Sequence, residues 1–184
     1  GDGFVAARYL LNKGFDVDIY LLGQTLNIKS FESQKNWKIL QEISKETNSM
    51  NIHLIEDTSQ LESVDSNIIV DAILGTGTKG KLREPISCAV DIINSFNGIV
   101  IAVDIPTGLN PQTGEVEEKA VEADFTVTFH KKKSGIENAE TKYVGSVHVC
   151  DIGIPIEAEL FTGPGDLLRL KNRKKNSHKG QNGR

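Results

Sequence analysis

The sequence predicts an α/β domain: a Rossmann-like, three-layer α/β/α sandwich, doubly wound around a mostly parallel sheet. Three observations predict it. Short runs rich in Val and Ile alternate with segments whose apolar residues fall at helical spacing, the pattern of successive βαβ units. Several runs are apolar at nearly every residue, as strands covered on both faces are. Two of them, at residues 67–74 and 99–104, lead into loops dense in Gly, Pro and Thr, where open parallel sheets place their ligands.

Size and charge set the bounds. A chain of 184 residues that is 38% apolar can bury one ordinary core. No apolar run approaches the roughly 18 residues needed to span a bilayer, and no signal-peptide pattern opens the chain. Cys88 and Cys150 show no Cys-x-x-Cys spacing, so they read as buried small apolar residues in a reducing compartment, which places the protein in the cytoplasm. Net charge is −4, yet seven Lys/Arg and no acidic residue fall between Arg169 and Arg184. That basic tail reads as a solvated linker rather than a nucleic-acid arm.

Taken in order, Gly1-Asp2-Gly3 opens a helix over residues 4–11 that Gly14 ends in the C′ position. A Gly-rich turn opening a helix ordinarily follows a strand and presents backbone N–H groups to a ligand, so the chain is expected to begin partway through a domain. Residues 15–22 fit a strand. Ser30 can cap a helix through Glu46, with Glu32 in its first turn and Trp37, Leu40 and Ile43 facing inward. A short strand follows at 51–55, where His53 alternates with Ile52 and Leu54 and lies on a polar face. After the strand at 67–74, Pro85 opens a helix to Phe96, with Ile86, Ala89, Val90 and Ile93 at helical spacing. Strands at 99–104, 123–129 and 144–152 complete the series.

Three features carry chemistry. In Val103-Asp-Ile-Pro-Thr-Gly-Leu-Asn-Pro-Gln-Thr-Gly114, Asp104 ends a buried strand and a stiff loop follows. It can serve a ligand or form an Asx turn, and the segment alone leaves both open. The segment Gly75-Thr76-Gly77-Thr78-Lys79-Gly80-Lys81 spells G-x-G-x-x-G after a strand and also resembles the start of a P-loop. Leu82 stands where a P-loop needs Ser or Thr, and Pro85 delays the helix that a dinucleotide fingerprint needs at once. What remains is a loop of free N–H groups and two lysines suited to an anion such as pyrophosphate, or else a mobile connection. Asp71 interrupts an apolar strand, where a carboxylate is costly unless paired. If Asp71 and Asp104 end neighbouring strands, they and Thr107 could converge as ligands of a hard cation; alternatively, Asp71 caps a loop amide. The Lys131-Lys132-Lys133 run reads as a solvated loop, with Lys133 beside Gly135 the exception left open.

These motifs together resemble the NAD(P)H-hydrate epimerases, the YjeF N-terminal domain family. Gly1-Asp2-Gly3-Phe4-Val5-Ala6-Ala7-Arg8 is similar to the end of the family's Asn-Asn-Gly-Gly-Asp-Gly motif and its helix. Asp71-Ala-Ile-Leu-Gly-Thr-Gly resembles the second motif, and Val103-Asp-Ile-Pro-Thr-Gly the third. Thr126-Val-Thr-Phe129 with Lys133-Ser-Gly135 resembles the fourth, with Ser134 where Pro is usual.

The resemblance implies a Rossmann-like homo-oligomer that interconverts the R and S forms of hydrated NADH and NADPH. It implies substrate contacts from Gly1, Asp2, Gly75, Thr76, Gly77, Thr78, Lys79, Gly80, Lys81 and Asp104. Asp71 and Thr107 would hold a potassium ion, Thr107 replacing the commoner Ser, with a further family ligand being an Asn just upstream of Gly1. Asp104 would be the catalytic group. Epimerising a carbon that bears a hydroxyl and a ring nitrogen requires losing one substituent and regaining it on the other face, which moves a proton and develops positive charge. Residues 177–184 resemble the opening of the ADP/ATP-dependent NAD(P)H-hydrate dehydratase domain. That implies an epimerase domain over 1–162, and a linker with the first residues of a fused dehydratase over 163–184. Two alternatives stand beside this reading: a non-catalytic nucleotide- or protein-binding module of the same fold, and an NAD-dependent dehydrogenase. The delayed helix and the Asp-Ile-Pro-Thr-Gly loop oppose the second.

Overall fold

A computed structural model describes residues 1–61, 64–77 and 80–155. Thr78, Lys79 and the expected dehydratase segment at 163–184 lie outside these residues. Residues 1 to 150 form one compact unit.

Two parallel sheets carry the unit. Strands β1 (Val17–Leu22) and β2 (Met50–Ile55) pair in parallel, Val17 opposite Met50 and Tyr20 opposite His53. Strands β3 (Ile68–Asp71), β4 (Ile99–Val103), β5 (Phe125–Phe129) and β6 (Ser146–Cys150) form a second parallel sheet in that order. Parallel strands and flanking helices bear out the α/β class. The expected single sheet is divided instead, because no described strand hydrogen-bonds β1 or β2 to β3.

Helix α1 (Asp2–Asn12) packs with α2 (Phe31–Glu46) against the first sheet. Ser30 caps α2, its Oγ accepting from Ser33 N at 3.1 Å, and Glu32 and Lys45 complement the helix dipole at the two ends. Ala7, Leu40 and Met50 are buried together, with Val17, Ile19 and Ile52 packed on them. Phe4 and Trp37 meet ring to ring at 5.2 Å. On the polar side of this sheet, Tyr20 stacks on His53 at 4.6 Å and Asp18 Oδ1 accepts from Asn51 at 2.9 Å. His53 therefore belongs to the polar face its spacing predicts.

Helix α3 (Ile86–Asn94) covers one face of the second sheet, where Val90, Ile93, Val100, Ala102, Val121 and Ala123 form the core. Val90 is fully buried, and burial of one such side chain is worth about 1.5–3 kcal/mol. Pro85 caps this helix rather than filling its first position, and the helix ends at Asn94, short of Phe96.

Several expected boundaries move. Strand β3 stops at Asp71 instead of 74, because the Asp71 carboxylate bends the backbone by accepting Ile73 N at 3.3 Å. The last strand begins at Ser146, since residues 141–144 close a helical turn, α5 (Thr141–Val144), that Gly145 ends at φ 53°. A short helix, α4 (Ser134–Asn138), was not expected from the sequence. The cysteines are also corrected: Cys88, on α3, is only partly buried, and Cys150, at the end of edge strand β6, is exposed.

Candidate functional site

Asp71, Thr107 and Asp104 all stand at the carboxyl ends of neighbouring strands. β3 pairs with β4 so that Asp71 lies opposite Ala102, and Asp104 immediately follows β4.

Asp71 and Thr107 are each 1% exposed. Thr107 N donates to Asp71 Oδ2 at 2.7 Å, and Thr107 Oγ1 donates to Asp71 Oδ1 at 2.7 Å. The same hydroxyl accepts from Leu74 N at 3.2 Å, so one threonine ties both β3 and the segment after it to the β4 loop. Burial pushes the Asp71 carboxyl up from its ordinary value, and the hydrogen bonds from Thr107 and Ile73 oppose that shift.

Asp104 takes a left-handed backbone conformation, φ 67°, uncommon for a residue with a side chain. Its own N–H donates to Val127 O at 2.7 Å, fixing it against β5. Its Oδ1 accepts from Phe129 N at 3.2 Å, from Thr128 Oγ1 at 3.3 Å and from Lys133 Nζ. Among the described residues Oδ2 has no hydrogen-bond partner.

Gly3 sits against the tip of β3. A Cβ placed on it would come within 2.7 Å of the Ala72 Cβ, so glycine is what lets the start of α1 reach the strand end. Gly1 and Asp2 are exposed there, Asp2 in the first turn of the helix. Gly75, Thr76 and Gly77 form an exposed turn, Gly80 has φ 91°, and Lys81 is exposed.

Of the expected substrate contacts, Gly1 lines one cavity and Gly80 and Lys81 line another, while Asp2, Gly75, Thr76 and Gly77 line neither. One of about 310 Å³ is lined by Gly1, Gly3, Phe4, Ser33, Ala72 and Ile73 among others. One of about 800 Å³ is lined by Leu74, Gly80, Lys81, Arg83, Asn110 and Glu117 among others. Ala72 and Ile73 line the first and Leu74 the second, and Asp104 lines neither. The ion-paired Lys133 is the residue that sequence reasoning undervalued; the Lys133-Ser-Gly135 match to the fourth motif was the signal available for it.

These features define an α/β protein with its polar groups gathered at the tips of a parallel sheet. Residues 1–135 match the family model described as "YjeF-related protein N-terminus". The chain belongs to that family. It is 50% identical over its full length to a bifunctional NAD(P)H-hydrate repair enzyme of Methanothermobacter thermautotrophicus, of which it covers 36%. It is 43% identical over 86% of its length to an NAD(P)H-hydrate epimerase of Cenarchaeum symbiosum, covering 71% of that protein. The crystal structure of yeast ynu0 shares the fold, with a TM-score of 0.67 and 20% identity over 84% of this chain and 62% of that one. The chain thus spans about a third of the bifunctional relatives.

Proposed function

We propose that this chain interconverts the R and S epimers of hydrated NADH and NADPH, with Asp104 as the acid/base. The observation that carries the proposal is the Asp104 carboxylate, held at a parallel-strand tip by three donors on one oxygen while the other oxygen is left for a ligand. Similarity to relatives named as NAD(P)H-hydrate epimerases supports the substrate.

In this reading Gly1, Asp2 and the loop of residues 75–81 contact the nucleotide, the loop through its N–H groups and lysines. Asp104 gives a proton to the hydroxyl as its C–O bond breaks and water leaves, then takes one from the water that re-forms the bond on the opposite face, and its charge offsets the positive charge the ring carries in between. The left-handed backbone at Asp104 fits such a role, since conformations of this kind concentrate where geometry serves chemistry.

Potassium fits the donor chemistry of Asp71 and Thr107. Both offer oxygen, the ligand type of hard cations. The Asp71 carboxylate is buried, and among the described residues no Lys or Arg pairs with it. Bound there, the ion would neutralise a buried carboxylate beside the substrate loop. Residues 1–162 form the epimerase domain and 163–184 lead into a dehydratase that consumes the S hydrate. The protein acts in the cytoplasm as a homo-oligomer.

The test uses chemically prepared hydrate enriched in one epimer, incubated with the full-length protein that carries this chain. Chromatography should show the R/S ratio relaxing to equilibrium in proportion to enzyme. A ratio that drifts no faster than in buffer would overturn the proposal.

A further inference from the structure

We propose that Lys133 is a positioning residue for Asp104, fixing which carboxylate oxygen faces the substrate. The inference rests on the epimerase reading above and adds a residue to it. Lys133 caps the N-terminus of α4 by position, and its side chain turns back across the end of β5. Its Nζ donates to Asp104 Oδ1, to Thr128 Oγ1 at 3.0 Å and to Phe129 O at 3.1 Å. An ammonium has three hydrogens, so all of them are used inside the protein. A lysine so engaged orients its neighbour and has no proton left to offer a ligand.

The pair is not an ordinary surface contact. The Lys133 and Asp104 side chains are 23% and 18% exposed, whereas the Lys45–Glu42 pair on α2 is 62% and 73% exposed. Pairs in open water hold little geometry; partly desolvated pairs with extra hydrogen bonds hold more. The carboxylate torsion of Asp is soft by itself, so the oxygens exchange places unless something pins one. Here Lys133, Thr128 and Phe129 all pin Oδ1, and among the described residues no hydrogen bond holds Oδ2.

The spacing Lys133-Ser134-Gly135 has a physical reason. Gly135 N donates to Pro111 O at 2.9 Å, and a Cβ on Gly135 would lie 2.1 Å from Asn110 O. Only glycine lets α4 press so closely on the loop that follows Asp104. Two residues earlier, Lys133 is thereby held at a fixed distance from the carboxylate.

The experiment measures kcat and KM for epimerisation in the full-length protein. Lys133→Met should lower kcat by about 10²-fold, the cost of misplacing a reacting group, with KM changed less than about threefold. Lys133→Arg should recover part of kcat, and ethylammonium should partly restore Lys133→Ala. Circular dichroism checks folding. If Lys133→Met does not fold, the comparison of Lys133→Gln with Lys133→Arg carries the same test. A rise in KM with kcat unchanged would make Lys133 a substrate contact and overturn the proposal. Wild-type kcat in Lys133→Met, with an active wild type, would overturn it alone. An inactive wild type would bring down the epimerase reading and this inference together.

Discussion

Thr107 closes on Asp71 through both its backbone and its side chain, N to Oδ2 and Oγ1 to Oδ1, each at 2.7 Å. The two residues lie 36 positions apart and are almost fully buried. The contact therefore fastens the tip of β3 to the loop after β4, and the same hydroxyl also holds Leu74 N. Thr107→Val keeps the shape but removes the hydroxyl, leaving Asp71 Oδ1 and Leu74 N each short of a partner. It should cost about 1–3 kcal/mol in urea unfolding. Thr107→Ser retains the hydroxyl and should lose about 0.8 kcal/mol, one buried methyl.

The same pair should report potassium. Thermal melts in potassium chloride against choline chloride at equal ionic strength should show a higher Tm with potassium. The difference should vanish in Asp71→Asn, which keeps the size but removes the charge. An ion that binds only the folded state stabilises it by mass action, so the gain should grow with concentration.

Gly3 and Ala72 share one space at the tip of β3. Gly3→Ala should destabilise the protein by about 1–3 kcal/mol through overpacking. Adding Ala72→Gly should return much of that loss, and a double-mutant cycle on unfolding free energies checks the coupling.

Much of this architecture was legible because its signals are local. Ser30 and Glu32 mark the start of α2, and Val100 and Ala102 lie in an apolar run that reads as a buried strand. What was hidden depends on distant partners. Ala72, Ile73 and Leu74 continue the apolar pattern of β3, yet the strand stops at Asp71 because that carboxylate binds Ile73 N and Thr107. That Asp71 and Thr107 converge was legible; that Thr107 itself donates to both carboxylate oxygens was not. Lys133 was set apart from its two neighbouring lysines only by its place beside Gly135, and only the fold, bringing α4 against residues 110–111, carries it to Asp104. The separation of Gly1 from Gly80 and Lys81 into two cavities is likewise a tertiary fact. Cys88 and Cys150 were misplaced because composition gives their class but not their position, one on helix α3 and the other at the end of edge strand β6.

Lys81 lines the larger cavity and is exposed. If it holds a nucleotide phosphate, that contact is the same in the ground and transition states. Lys81→Ala should then raise KM about tenfold, with kcat nearly unchanged, and the effect should shrink as salt is added.

The most direct measurement is epimerisation by Asp104→Asn in the full-length protein. Asn keeps the shape and can still accept a hydrogen bond, but it cannot take up and return the proton. Folding should survive, and kcat should fall by about 10²–10⁴-fold, the range for a removed acid/base. Interconversion at the wild-type rate would contradict the assignment of the chemistry to Asp104.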